Sequence, residues 1–575
     1  MVDRARGTGS EVTTPYDGGE LLVDAFNALG VDFIFSSPGS EWAPVWEALA
    51  RRQADGTQAP RYLDFMHETV AVAMATGYGL VTRRSQGVLL HAAPGLLQGA
   101  NAIHGALLAG VGMVVASSES NTYGDGDGPD PGGQWYRNLS IVGGPHLVAQ
   151  PFTKWSNQVG SVATLFTMVT RAGELSERAP VGPVYLNVPL EVLLTPAEPP
   201  AMDWHAPKVG RRVSAADDIS VVTELLRSAK KPLVITETAG RDRGGFEALL
   251  NFCNALGIGV IEPFAAVCAN FPKDNPLHLG SDVEPLIDEA DLILLVNCRA
   301  PFYPPSRRPA KATIVVIDEV AQRPHIVYQV LHADHYLEGS LPETLEVLRE
   351  AVLSSGTVDT APRQWAHENH AKWAARTTEL EASVSQDDQI TPAALAVALR
   401  GIAQREDAIV VDETITHSRV VQRHVGWDSA DRYFYVQGGL GQGMGVALGV
   451  KLASGERLTI LTIGDGAYLY NPIVQSLQAS KEFGLPLLIV IFNNKKYLSM
   501  QMNHLRFYPE GAAVATDNFL GVDLKRQPEL AAFGEPFGMF HALVEDSTQL
   551  TDALERAVTA VKAGTTAILN VHVSK

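Results

Sequence analysis

Two apolar runs, Leu458–Ile463 and Pro486–Phe492, flank a stretch long enough for a helix. Each run ends in residues with special chemistry, Gly464-Asp465-Gly466 after the first and Asn493-Asn494 after the second. Short, largely apolar runs read as strands buried on both faces, and parallel neighbours need a crossover of about this length. The acidic loop and the amide loop then sit at the carboxyl ends of adjacent strands, the edge where open α/β sheets bind ligands. There Asp465 and Asn494 can offer oxygens to one Mg²⁺, an ion that takes few protein ligands and fills its shell with phosphate oxygens. The flanking glycines let backbone come close to a diphosphate.

A GDG, just over two dozen residues and an NN, each after a strand, resembles the diphosphate and metal motif of thiamine-diphosphate-dependent enzymes. The resemblance implies Mg²⁺ held by Asp465, Asn494 and the backbone carbonyl of Lys496. It also implies a diphosphate lying along Gly464, Gly466 and Ala467.

The 575-residue chain is too long for one core, and about three domains are expected. A net charge of −19 argues against a nucleic-acid partner, since phosphates would meet no bulk of cations. The three cysteines, Cys253, Cys268 and Cys298, form no CxxC and read as buried thiols of a reducing compartment. Residues 1–20 lack the apolar core of a signal peptide, and no apolar span reaches membrane length. A cytoplasmic protein without a membrane partner is expected.

From Gly18 to Ser117, helix-like and strand-like stretches alternate, with small residues in the loops after each strand: Ser36–Ser40, His67-Glu68 and Ala92–Gly95. That order implies a parallel sheet. Glu68 starts a helix, where a carboxylate suits the dipole and is often only a surface group. It also follows a strand among Phe65, Met66, Val70 and Ala71, where burial favours a proton-sharing role. In thiamine enzymes a glutamate so placed hydrogen-bonds the aminopyrimidine, and YLDFMHETVAVAMATGYG resembles that site. His91 in LLHAAPG and Ser40 in SPGSEWAP resemble active-site positions of benzoylformate-decarboxylase-like members, implying that they bind a substrate carboxylate or relay protons. His67 is a weaker candidate of the same kind. The Gly/Asp-rich loop 123–133 places Asp125, Asp127 and Asp130 close together, but Pro129 and Tyr136 stand where an EF-hand needs ligands, so a substrate-shaping loop is the better reading.

Residues 195–210 read as a Pro/Ala-rich linker and residues 355–388 as a polar one. Between them the pattern is again doubly wound. Acetolactate-synthase relatives hold FAD there, but its glycine-rich and arginine-bearing segments are not evident, so FAD is not expected. The second active-site histidine of benzoylformate decarboxylases is missing too, with Tyr303 nearby instead. In the last third, Thr414 and Thr416 follow a strand and offer hydroxyls and amides to a diphosphate. In Gly438-Gly439-Leu440-Gly441-Gln442-Gly443 the resemblance makes the Gly438 carbonyl the aminopyrimidine acceptor and Leu440 the prop that bends the cofactor, while glycine packing between helix and sheet is the plainer alternative.

The expectation is an α/β chain of three doubly wound parallel-sheet domains: pyrimidine-binding over 1–192, central over 210–350 and diphosphate-binding over 385–575. The resemblance covers the whole chain. It implies a thiamine-diphosphate- and Mg²⁺-dependent 2-oxo acid decarboxylase or carboligase of acetolactate-synthase type, working through a C2 carbanion on a 2-oxo acid or ketone. Two alternatives stay open, a C–C hydrolase of a diketone and a non-catalytic cofactor-binding subunit. Glu68 and Asp465 serve one cofactor only where the end domains meet, which in this family happens between subunits. At least a homodimer, and commonly a homotetramer, is therefore implied.

Overall fold

The computed structural model describes residues 16–574 except 121–127, 134–138, 202–203, 264–265, 300, 303–306, 327–328, 330–331, 384–388 and 525. Tyr303, Asp125 and Asp127, with residues 123–127 of the 123–133 loop, therefore lie outside the described residues, as does most of the 1–20 leader.

Three wholly parallel sheets follow one another along the chain. The first contains β1 (Phe33–Ser37), β2 (Arg61–Asp64), β3 (Gln86–Leu90), β4 (Met113–Ser117), β5 (Trp155–Gln158) and β6 (Pro183–Asn187), in the order β2-β1-β3-β4-β6-β5. The central sheet contains β7 (Pro232–Thr236), β8 (Gly259–Ile261), β9 (Leu292–Val296), β10 (Thr313–Asp318) and β11 (His335–Glu338), in the order β11-β10-β9-β7-β8. The last contains β12 (Ile409–Glu413), β13 (Tyr433–Tyr435), β14 (Thr459–Gly464), β15 (Leu488–Asn493), β16 (Phe540–Val544) and β17 (Ala567–His572), in the order β13-β12-β14-β15-β17-β16. The two six-stranded sheets thus share one topology. As expected, β14 and β15 are neighbours, with Gly464 paired to Phe492.

The apolar runs are strands because both faces of each sheet are covered. In β1, Phe35 enters one core and Ile34 another. In β15, Ile489 and Ile491 join the first core, while Leu488, Val490 and Phe492 join a third. The core that takes Phe35 also takes Ile489, so one apolar mass spans both end domains of a single chain. Its centre is the contact of helices Glu68–Thr82 and Gly443–Ser454. These helices consist largely of Ala, Gly and Val, which lets their backbones approach closely. A Cβ on Gly77 would lie 2.0 Å from the Val446 carbonyl oxygen, and one on Gly449 would lie 2.1 Å from that of Met74.

Residues 205–215 contain no helix or strand, in keeping with a linker. The polar stretch 355–388 is different: a 23-residue helix, Ala361–Ser383, replaces most of the expected linker. Trp365 and Ala366 bury against the central domain, and Glu381 pairs with Arg400 at 2.8 Å and His424 at 2.9 Å in the last domain. A helix held by a few anchors and ion pairs has no broad apolar stripe, so its sequence reads as solvated. No helix among the described residues is long and apolar enough to cross a membrane.

Candidate active site

At the carboxyl ends of β12, β14 and β15 a cleft of about 1,210 Å³ opens, lined by Thr414, Thr416, Leu440, Gly464, Asp465, Gly466, Ala467, Asn494 and Lys496. Among the predicted cofactor residues of this half, Gly438 alone stands behind the lining. Its φ of 85° is in the left-handed region, and a Cβ there would lie 2.5 Å from the Gly105 Cα of the first domain.

Asp465 is the first residue of a short helix after β14 and is 2% exposed. Its Oδ1 accepts the Gly466 N–H at 2.9 Å, while Oδ2 is buried with no partner among the described residues. Burial pushes the carboxyl up to about 6 against the pull of backbone N–H groups, and a bound cation would reverse that shift. Asn494 is fixed from two sides. Its Oδ1 accepts the Lys496 N–H at 2.9 Å, and its Nδ2 donates to His417 Nε2 at 3.2 Å. The turn is sharp, with Lys495 at φ 57°. Burial lowers His417 to about 4, so its ring is neutral at ordinary pH and Nε2 is free to accept. An orphaned carboxylate oxygen beside an oriented amide oxygen fits a hard divalent cation. The open backbone at Gly464 suits a phosphate, since a Cβ there would find nothing nearer than 3.6 Å.

The two threonines divide the work. Thr414 donates both its N–H (3.0 Å) and its hydroxyl (2.7 Å) to Asp412, so neither donor points at a ligand. Ile415 next to it has φ 56°, turning the loop so that Thr416 faces the cleft.

The loop that bears Leu440 is tethered by Glu413, a residue the sequence offered without marking. Wholly buried, Glu413 accepts N–H groups from Gly441 (2.9 Å) and Gln442 (3.0 Å) and the Asn471 amide (2.8 Å). Burial, opposed by those bonds, lifts it to about 7. Leu440 is half-buried in the cleft wall, and its carbonyl accepts Asn101 Nδ2 at 3.4 Å.

The amino-terminal residues separate into two groups. His67 reaches the cleft with Thr69, Gln98 and Asn101. Its Nδ1 accepts the Thr69 N–H at 3.1 Å and so caps the helix that Glu68 begins, and burial lowers its pKa despite the Glu68 charge. Glu68, His91 and Ser40 lie on the carboxyl edge of the first sheet, outside this cleft. Glu68 is half-buried over the helix Ala93–Ala109: a Cβ on Gly95 would lie 3.2 Å from its Oε1 and 2.9 Å from the His91 Cβ. Met66, expected to enclose Glu68, is 74% exposed. Ser40 is exposed at the start of the turn after β1.

Comparison with known proteins agrees with this layout along the whole chain. The thiamine pyrophosphate enzyme N-terminal TPP binding domain matches residues 16–138, the central domain 219–348 and the C-terminal TPP binding domain 414–571. A Pseudomonas aeruginosa protein named probable 2-ketoarginine decarboxylase is 26% identical, over 94% of this chain and 91% of its own length. Benzoylformate decarboxylase of the same organism is 25% identical, over 81% and 84%. Acetolactate synthase of Bacillus subtilis is 23% identical, over 94% and 91%. Among solved structures, a Rhodococcus jostii thiamine diphosphate-dependent 4-hydroxybenzoylformate decarboxylase superposes with a TM-score of 0.79 at 22% identity, covering 97% of this chain and 99% of that one. With its three domains matched in order and its fold shared with such enzymes, the chain belongs to the thiamine pyrophosphate enzymes.

Proposed function

We propose that this chain is a thiamine-diphosphate- and Mg²⁺-dependent decarboxylase or carboligase of 2-oxo acids. The observation that carries the reading is the unpartnered, buried Oδ2 of Asp465 beside the oriented Asn494 amide, in a cleft large enough for a diphosphate cofactor. Asp465, Asn494 and the Lys496 carbonyl would hold the metal. Thr416 and the backbone from Gly464 to Ala467 would hold the diphosphate, with Leu440 against the rings. When bound, thiamine diphosphate supplies a nucleophilic carbon and an electron sink for decarboxylation. The chain's own residues bind and orient. Glu68 holds a proton against the pyrimidine, while His91 and Ser40 meet the substrate's carboxylate and carbonyl. The names of the relatives, decarboxylases and acetolactate synthases, support a 2-oxo acid substrate.

Asp465 lines the cleft while Glu68, between the cleft residues His67 and Thr69, does not, which supports a site completed by a second copy. Exposed apolar side chains surround both edges: Met66 and Leu97 on one, Tyr470, Met500, Phe507 and Leu520 on the other. The Leu498–Phe507 helix buries none of its residues within the chain. We read the working unit as a homodimer at least, assembling to a tetramer. We keep the domain limits at 1–192, 210–350 and 385–575, a division supported by the three sheets, with the helix Ala361–Ser383 between the last two. FAD has no place in this reading. Among the described residues, a pocket between Asp318, Arg323 and Arg241, whose guanidinium donates to the Gly110 carbonyl, has about 30 Å³. A cytoplasmic location is supported by the burial of all three cysteines, Cys253, Cys268 and Cys298.

The test is a panel of 2-oxo acids with added thiamine diphosphate and Mg²⁺, with CO₂, aldehyde and acyloin measured. Cofactor-dependent CO₂ release is expected. Cleavage of diketones alone would favour the hydrolase, and inertness towards every substrate would favour a binding subunit. Sedimentation with activity assays on dilution is expected to show both lost together, and a fully active monomer would refute the shared site.

A further inference from the structure

The ends of β1 and β3 converge on one buried carboxylate. Glu41, in the Ser40–Trp42 turn that follows β1, has no exposed surface. Its Oε1 accepts the Nδ1–H of His91 at 2.7 Å and the Ala92 N–H at 2.8 Å, while Oε2 is buried with no partner among the described residues. The turn is tied down by Trp42, fully buried, whose indole N–H donates to the Leu90 carbonyl at 2.8 Å. Gly39 is what admits the pair. A Cβ there would fall 2.0 Å from His91 Nδ1 and within 2.5 Å of both Glu41 oxygens.

A buried carboxylate with an unpaired oxygen is costly unless a positive group stands beside it. His91 is that group. Its side chain remains 28% exposed on the side away from Glu41, towards the edge it shares with Glu68. The ionisable groups that face it are Glu41, by hydrogen bond, and Glu68, by charge. Both raise its proton affinity, and burial opposes them.

We propose that Glu41 is the positioning residue for His91: by engaging Nδ1–H it fixes the ring with Nε2 outward and protonated, as the cationic donor that meets the carboxylate or carbonyl oxygen of a 2-oxo acid. The proposal rests on the reading of this edge as half of the active site. A ring tied to a buried carboxylate loses the freedom to flip or change tautomer, so the donor is in place before substrate arrives. Ser40, one residue before Glu41, is carried on the same turn, and the backbone that fixes His91 therefore fixes Ser40 as well.

The experiment uses the holoenzyme of the wild type, Glu41→Gln and Gly39→Ala. The first variant keeps the shape and removes the charge. The second keeps the charge and introduces the colliding methyl group. Two readouts are taken: peptide-resolved deuterium exchange at the His91 Cε1–H, whose rate follows the ring's titration, and the pH profile of kcat/KM. In both variants the His91 midpoint is expected to move to lower pH, with the alkaline limb of kcat/KM moving alongside it. At pH 7.5 a loss of ~10- to 100-fold is expected, below the ~10²–10⁴-fold of a proton-transferring group itself, since Glu41 acts through His91. An unchanged midpoint in both variants would overturn the positioning. A shifted midpoint with unchanged kcat/KM would overturn the link to substrate while leaving 2-oxo acid turnover standing. If the wild type turns over no 2-oxo acid, the functional reading fails separately, and the exchange midpoint still reports the pair. Should Glu41→Gln fail to fold, Gly39→Ala gives both readouts.

Discussion

Gly105 and Gly438 meet backbone to backbone across the seam between the two end domains, so closely that a Cβ on Gly438 would lie 2.5 Å from the Gly105 Cα. A methyl group on Gly105 would in turn lie 2.3 Å from Gln442 Oε1 and 2.8 Å from the Gln437 carbonyl oxygen. Gln442 can swing aside, but the Gln437 backbone cannot. Gly105→Ala is therefore expected to destabilise the fold by about 1–3 kcal/mol, the usual cost of overpacking. It should also shift the loop that bears Leu440, so thermal stability and cofactor affinity would fall together. Melting curves with and without thiamine diphosphate check this, and an unchanged affinity would mean that the seam does not set the loop.

Asp465→Ala removes the buried carboxylate whose Oδ2 has no protein partner. Mg²⁺-dependent binding of thiamine diphosphate is expected to be lost with the fold intact, because the carboxylate's partners are backbone N–H groups of the loops around it, Gly466 at 2.9 Å among them. Titration calorimetry decides it, with wild-type affinity in the mutant as the contrary outcome.

Glu68→Gln keeps the length of the side chain but not its ability to share a proton. Turnover is expected to fall ~10²–10⁴-fold, with a much smaller change in cofactor affinity, since Asp465 and Asn494 lie in the other half of the site. Hydrogen–deuterium exchange at the cofactor's C2, compared between wild type and mutant, is the direct measurement. Equal rates would leave Glu68 a helix-start carboxylate.

His278 makes a pH prediction away from the site. It is fully enclosed, with Nε2 3.2 Å from Lys273 Nζ and 3.4 Å from Glu262 Oε2. Burial first, then the Lys273 charge, pushes it down to about 4, whereas a histidine in an unfolded chain titrates near ~6.5. Between those values the unfolded chain takes up a proton that the fold refuses, so stability rises with pH across the window and is lost as pH falls from about 6.5 towards 4. A tenfold difference in proton affinity is worth about 1.4 kcal/mol, which puts the loss at a few kcal/mol. His278→Gln should flatten this acid limb. Unfolding midpoints from pH 7.5 down to 4.5 test it, and parallel curves for the two proteins would exclude His278 as the source.

What the sequence disclosed follows from how each residue is used. β14 and β15 are legible because strands covered on both faces are largely apolar, and Asp465 and Asn494 stand out as the polar residues that directly follow them. Glu41 is illegible for the opposite reason: beside Pro44 and Trp42 it reads as an ordinary first-turn carboxylate, and only the fold brings His91, fifty residues on, to 2.7 Å. The hydroxyl of Thr414 looks free until Asp412, two residues earlier, is seen to take it. The helix Ala361–Ser383 hides its two apolar anchors in polar surroundings. The joining of the end domains within one chain was written in Val70–Gly79 and Gly443–Val450, but runs of small residues reveal close packing only once a partner is known.

The shared strand order of the two six-stranded sheets has an arithmetical consequence. Each chain carries the same architectural edge twice, furnished once with the acid and imidazole groups of Glu68 and His91 and once with the residues proposed to hold phosphate and metal. In the dimer proposed above, a pair of chains would present four edges, and with one edge of each kind at each site those four would make two sites. On that proposal binding is expected to saturate at one cofactor per chain, and loss of either edge would silence a site completed by the neighbouring chain.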